Sequence, residues 1–165
     1  MPFLMKYPGT KNREMVNKDF ITNIDFASTL LDIAGIKEKE ELQGRSFLPN
    51  ILDENSKDWR QSMYYHYYEF PFWHHVQPHY GIRNQKFKLI HFYYNIDVWE
   101  LYDLQNDPEE ITNLINDPSY ADVIKEMKLD LKKLQIEYGD DKSLDEFRSI
   151  TDTDFGHIGG KGIRE

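Results

Sequence analysis

Between Trp59 and Tyr102 the chain gathers 15 of its 24 aromatic residues, and they fall in short runs rather than in a helical stripe. The runs are Met63–Phe70, His79–Arg83, Lys86–Phe92 and Val98–Leu104, broken by Pro, Gly and Asn. Aromatic-rich runs of about 5–8 residues between such breakers are strand signals. Four antiparallel strands are therefore predicted, with Gly81-Ile-Arg-Asn-Gln-Lys-Phe87 reading as strand, tight turn and returning strand. Downstream the period changes. Tyr120, Ile124, Met127, Leu131, Leu134 and Tyr138 recur every three or four residues, Pro118 suits a first helical turn and Gly139 a stop. A helix over 118–138 laid across one sheet face follows, an α+β arrangement. The heptad-like spacing also fits a coiled coil, but the run is short for one.

Upstream, residues 2–7 form an apolar run closed by Pro8-Gly9, which reads as a buried strand ending in a turn. With few neighbours to pair with, it is expected to be the last strand of a sheet whose other strands lie elsewhere. Phe20, Ile24, Ala27, Leu31 and Ala34 give one apolar stripe, so a helix is predicted over 22–34. Thr22 and Asp25 resemble a capping box, and Gly35 stops the helix. Residues 36–58 read as loop, with an apolar knot at Phe47, Leu48, Ile51 and Leu52. Residues 140–165 carry no apolar period and are expected to be a poorly ordered polar tail or an arm over a partner surface. The boundaries so drawn are 1–58, 59–139 and 140–165.

Composition excludes several functions. The longest apolar runs fall well short of the ~20 residues that cross a bilayer, and the N-terminus does not read as a secretory signal. Cysteine is absent, which removes disulfides, thiolate metal sites and a cysteine nucleophile and leaves the redox compartment open. The net charge of −9 lies mainly in residues 97–147, where 15 Asp and Glu face 5 Lys and Arg. That balance disfavours nucleic acid and suits a solvated acidic face.

Several ordered segments resemble the C-terminal third of the type I sulfatases, the formylglycine-dependent members of the alkaline-phosphatase-like superfamily. Pro2-Phe-Leu-Met-Lys-Tyr-Pro-Gly9 is similar to the family's last large-domain strand. Asn23-Ile-Asp-Phe-Ala-Ser-Thr-Leu-Leu-Asp-Ile-Ala-Gly35 resembles the helix that follows, with Ser28 where the family has proline. Gln43-Gly-Arg-Ser-Phe-Leu48, Tyr80-Gly-Ile-Arg83, Phe87-Lys-Leu-Ile90 and Glu100-Leu-Tyr-Asp-Leu-Gln-Asn-Asp-Pro-Glu-Glu110 with Asn113-Leu114 complete the set, over about residues 1–138. Within the family, Tyr65-His-Tyr-Tyr-Glu-Phe-Pro71, Trp73-His74 and His79-Tyr-Gly-Ile-Arg83 look most like sulfatases acting on N-acetylglucosamine 6-sulfate or related glycosaminoglycan sugars. The resemblance implies that residues 1–58 are the terminal strand, helix and loop of a truncated large α/β domain, and 59–139 the C-terminal subdomain.

Five of the six histidines lie between 66 and 91. The resemblance implies that His74 and His79 face a sugar, and Trp73 could stack on its ring. Glu69 could point into the same cleft, and Arg83 falls in the Tyr-Gly-Ile-Arg match. Each also has a plain reading: surface carboxylate, internal ion pair, loop residue. His66 and His91 are expected to be strand residues with satisfied hydrogen bonds. A zinc site from His74, His75 and His79 lacks a fixed element to hold it.

The family's nucleophile is a formylglycine made within Cys/Ser-x-Pro-x-Arg, assisted by calcium. None of the seven serines here precedes x-Pro. The resemblance therefore implies formylglycine and calcium in a longer parent and none in this chain. The implied partners are an N-terminal sulfatase domain and a sulfated saccharide, with a periplasmic or secreted parent. Exposed apolar surface would favour self-association of the isolated chain. The alternative reading is a non-catalytic module that binds carbohydrate or completes a partner chain.

Overall fold

The computed structural model describes residues 3–8, 16–37, 42–52, 58–70 and 75–152. The chain divides into two compact units, Met1–Gln61 and Ser62–Glu165.

In the first unit, helix α1 (Asp25–Ile33) and the single helical turn α2 (Leu48–Ile51) are joined by a loop held in place by polar side chains. Gly44 passes so close to the start of α1 that a Cβ there would lie 1.9 Å from the Ile24 carbonyl oxygen. Ser28 donates to the Gly44 carbonyl at 2.8 Å, and the Thr29 hydroxyl accepts from the Phe47 N–H at 3.0 Å. Asp25 is fully buried. It accepts from the Arg45 N–H at 2.9 Å and from both terminal nitrogens of Arg60, at 2.6 and 2.7 Å. Trp59 lies under the guanidinium groups of Arg45 and Arg60. Phe3, Phe26 and Phe47 meet edge to face at 5.0–5.8 Å.

Helix α1 therefore buries the opposite stripe from the predicted one. Asp25, Ser28 and Thr29 face inward, while Ile24, Ala27 and Ala34 of the predicted stripe are exposed and Leu31 is half-buried. The physical reason is the loop: its backbone donors and acceptors need partners, and only the polar stripe supplies them. The capping box is half formed. Asp25 accepts from the Thr22 N–H at 2.7 Å and also from its hydroxyl. Gly35 has the expected left-handed φ of 68°.

The second unit is a meander of β1 (Ser62–Tyr67), β2 (His79–Asn84), β3 (Phe87–Phe92) and β4 (Val98–Asp103), paired antiparallel in that order. The β2–β3 turn forms because Asn84 Oδ1 accepts from the N–H groups of Lys86 and Phe87. Register fixes two faces. Tyr80 pairs with His91 and Ile82 with Leu89, and these side chains meet a 3₁₀ turn (Pro118–Tyr120) running into α3 (Ala121–Glu137). Met127 and Leu131 of α3 are buried against them, as the helical stripe requires. Gly139, at φ 67°, ends the helix. On the other face Tyr65 crosses Gly81, where a Cβ would lie 2.6 Å from the tyrosine hydroxyl.

The outer edge of β4 is occupied from within the chain. Asn113 Oδ1 accepts from the Leu101 N–H at 3.0 Å, and the Leu101 carbonyl accepts from the Leu114 N–H at 2.8 Å. The Asp103 carbonyl accepts from the Asp107 N–H at 2.7 Å. Among the described residues β1 has a strand neighbour on one side only.

Two sequence expectations are corrected. Residues 3–7, read as a buried strand whose partners lie elsewhere, are mostly exposed and join no ladder among the described residues. The polar tail is ordered as far as residue 152: α4 (Leu144–Ile150) begins at a full Ser143/Glu146 capping box. Its Phe147 is 1% exposed in the sheet core, and Thr151 is also buried. One aromatic residue in a polar segment gives no period to read, yet it anchors the helix. Residues 153–165 lie outside the described part.

Candidate functional site

Of the residues singled out from the sequence, His79 and Arg83 fall on the sheet face away from α3. His79 opens β2 and pairs across β1 with Tyr67 and across β3 with Phe92. Its ring is therefore boxed: Tyr67 stacks on it at 5.5 Å, Phe92 lies at 5.0 Å and Tyr65 meets it edge-on at 5.9 Å. Nδ1 is 2.8 Å from the Gln77 carbonyl oxygen. Glu69, just past β1, accepts a long hydrogen bond from the Tyr67 hydroxyl at 3.5 Å. Burial, and then Glu69, raise the Tyr67 phenol above its ordinary pKa.

Arg83 shares this face but lies four residues further along β2, about 13 Å away at a strand's rise, and is exposed. The structure thus brings His79 and Glu69 together through Tyr67 and leaves Arg83 apart. Trp73 and His74 lie outside the described residues. His75 is exposed at a left-handed φ of 49°. Among the described residues no cluster of His, Asp and Glu could hold a metal ion.

The opposite face carries a second polar constellation, buried under α3 and α4. His66 Nδ1 donates to Asp140 Oδ2 at 2.6 Å, and Tyr64 donates to the same oxygen at 2.6 Å. Tyr68 donates to Oδ1 at 2.9 Å, and the Tyr93 hydroxyl lies 2.8 Å from His66 Nε2. His91 likewise has two partners, Tyr80 at 2.8 Å and Asp97 at 2.7 Å, with Trp99 stacked on it at 4.1 Å. Both histidines are strand residues with satisfied hydrogen bonds, as read from the sequence. Asp140 escaped that reading because it stands in the segment taken for a tail. Its only sequence cue is its place beside the helix-stopping Gly139.

Burial holds both imidazoles below their ordinary pKa, and the carboxylates beside them do not reverse it. Asp140 is pushed up by burial, but hydrogen bonds from Tyr64, His66 and Tyr68 outweigh this and hold it low. Burial moves the Tyr80 and Tyr93 phenols up to about 12. The sign for stability follows. Below the ordinary histidine value of about 6.5, the unfolded chain takes up protons that the folded chain refuses, so stability falls as pH falls. Thermal unfolding at about pH 5.5 is expected to occur at a lower midpoint than at about pH 7.5, by roughly 4–8 °C per kcal/mol lost. An unchanged midpoint would show that the histidines are not held neutral.

Residues 1–137 match the family model described as "N-sulphoglucosamine sulphohydrolase, C-terminal". The chain is 43% identical over 142 residues to an N-acetylglucosamine-6-O-sulfatase of Bacteroides thetaiotaomicron, covering 85% of this chain and 25% of that protein. A delta 4,5-hexuronate-2-O-sulfatase from the same organism is 30% identical over 131 residues, covering 76% and 26%. A solved structure in complex with its substrate D-glucosamine-2-N,6-O-disulfate superposes with a TM-score of 0.71 at 45% identity, over 74% of this chain and 25% of that one. A 2-O glycosaminoglycan sulfatase superposes at 0.62 with 29% identity, over 71% and 25%. The chain thus spans about a quarter of the length of these relatives.

Proposed function

The chain belongs to the N-sulphoglucosamine sulphohydrolase C-terminal family, and from that we propose that it is the C-terminal part of a sulfatase that removes sulfate esters from amino sugars of glycosaminoglycans. The observation that carries this reading is the match over residues 1–137 joined to a span of only a quarter of the relatives. Its substrate class follows from the similarity to an N-acetylglucosamine-6-O-sulfatase.

On this reading the nucleophile and calcium ligands belong to a preceding domain. The residues present do not fit either group: no serine stands in Ser-x-Pro-x-Arg, and no suitable carboxylate cluster occurs among the described residues. The first unit supports the same reading. α1 spends its polar stripe on its own loop and leaves Leu30 and Ile36 exposed, with Phe3 and Leu4 also open. Those apolar groups suit a covering surface of the preceding domain. His79 and Glu69 then belong to the saccharide-facing set, Trp73 and His74 join it on the resemblance alone, and Arg83 stands apart from them along β2.

The purified chain should not turn over an aryl sulfate, with or without calcium, whereas the same chain joined to its upstream coding sequence should. Turnover by the short chain that survives repurification would overturn the proposal. In the longer enzyme, His79→Ala should lower kcat/KM for N-acetylglucosamine 6-sulfate by about tenfold to a hundredfold, and far less for the aryl sulfate. Equal losses on both would assign His79 to holding the loop instead.

A further inference from the structure

The contacts around His79 decide which hydrogen-bonding partner the ring can accept. A backbone carbonyl only accepts, so the 2.8 Å contact with Gln77 places the proton on Nδ1. In the neutral ring Nε2 then holds a lone pair and no hydrogen. Among the described residues nothing hydrogen-bonds Nε2. The ring cannot readily turn over to exchange the two nitrogens. Tyr67 is stacked on it, with planes 26° apart, and Phe92 packs at 5.0 Å. Tyr65 closes the third side and is itself fixed over Gly81, where no side chain would leave it room.

We propose that His79 selects a free hydroxyl, and not a sulfate ester, at the ring position it meets, and that Tyr67 is the positioning residue that keeps its accepting nitrogen presented. The inference rests on the reading that this sheet face meets the saccharide. A hydroxyl can donate to Nε2. A sulfate ester offers only acceptor oxygens and negative charge, so the contact that favours the one disfavours the other. The discrimination is steep because a lone pair facing acceptor oxygens is worse than no contact at all. Glu69 enters as the acceptor for the Tyr67 hydroxyl, steering the ring that steers His79.

Two measurements test it. Imidazole nitrogen NMR of the 165-residue chain at about pH 8, where free histidine is neutral, should show His79 as the Nδ1–H tautomer. The Nε2–H tautomer would overturn the proposal. In the longer enzyme, kcat/KM is compared for N-acetylglucosamine 6-sulfate and for analogues with the 3- or 4-hydroxyl replaced by hydrogen or by sulfate. At one of these positions the deoxy analogue should lose about tenfold and the sulfated analogue about a hundredfold or more. His79→Ala should abolish the difference between the two. Tyr67→Ala should lower kcat/KM on the parent sugar by about tenfold, mainly through KM, and Tyr67→Phe should restore most of it by keeping the stacked ring.

If His79→Ala changes no sugar, the saccharide-facing reading itself fails. If His79→Ala is costly but sulfated and deoxy analogues fall equally, only the selectivity inference fails. If Tyr67→Ala matches wild type, Tyr67 holds no positioning role.

Discussion

Replacing Phe147 with alanine is expected to destabilise the second unit by about 3–5 kcal/mol, as for other large aromatic truncations in cores. The side chain is 1% exposed. Its ring lies 4.7 Å from His66, 5.6 Å from Tyr93 and 5.8 Å from Tyr80. Removing it opens a cavity beside the buried His66–Asp140 pair, where neither imidazole nor phenol can move in without breaking a hydrogen bond. The loss should appear as a lower midpoint in urea unfolding with little change in slope. Ser143→Ala, which removes only the cap of α4, should cost about 1 kcal/mol by the same assay. A Phe147→Ala loss below that of Ser143→Ala would mean that α4 is not part of the core.

A loss of similar size is expected in the first unit from Arg60→Met. Asp25 is fully buried and Arg60 nearly so, with side-chain exposures of 0% and 10%. The bidentate pair keeps the carboxyl ionised: burial raises its pKa, and Arg60 with the Arg45 and Thr22 donors brings it below the usual range. Removing the guanidinium leaves a buried charge with only the Thr22 N–H and hydroxyl and the Arg45 N–H as donors beside it, and breaking a buried pair in this way costs about 3–5 kcal/mol in comparable sites. The double replacement Asp25→Leu with Arg60→Met should lose less than the two single changes added together, since it leaves no unpaired charge, although the Thr22 and Arg45 N–H donors lose their acceptor. Additive losses would show that the pair is not coupled. Because the folded carboxyl titrates low, this contribution is present at neutral pH. It fades as pH falls below about 3.9, the ordinary aspartate value.

The parts of this fold that could be read from the sequence are those in which one face decides everything. The α3 stripe from Tyr120 to Tyr138 has one side to bury, and the strands announce themselves by aromatic runs and by the Asn84 turn. The first helix was legible in position but not in orientation. Its apolar stripe is the stronger pattern, yet loop backbone at Gly44 and Phe47 claims the polar side through Ser28 and Thr29. The C-terminal helix was hidden because its anchoring depends on one phenylalanine and on Asp140, whose partners stand more than 70 positions away in sequence. Of the candidate site, His79 came from the family resemblance and not from any local pattern. The ring stack that orients it needed the β1–β2 register, which no local pattern encodes.

The occupied edge of β4 limits how copies of this chain can join. Endless growth of sheet upon sheet needs two open borders on each molecule, one to give and one to receive. Here Asn113 and Leu114 already take both outward groups of Leu101, and Asp107 takes the carbonyl of Asp103. An incoming backbone would first have to displace them. Among the described residues of the sheet unit that leaves the border at β1, and two copies meeting there by a twofold axis use up both borders at once. Pairing through the sheet therefore ends at two molecules and builds no fibre.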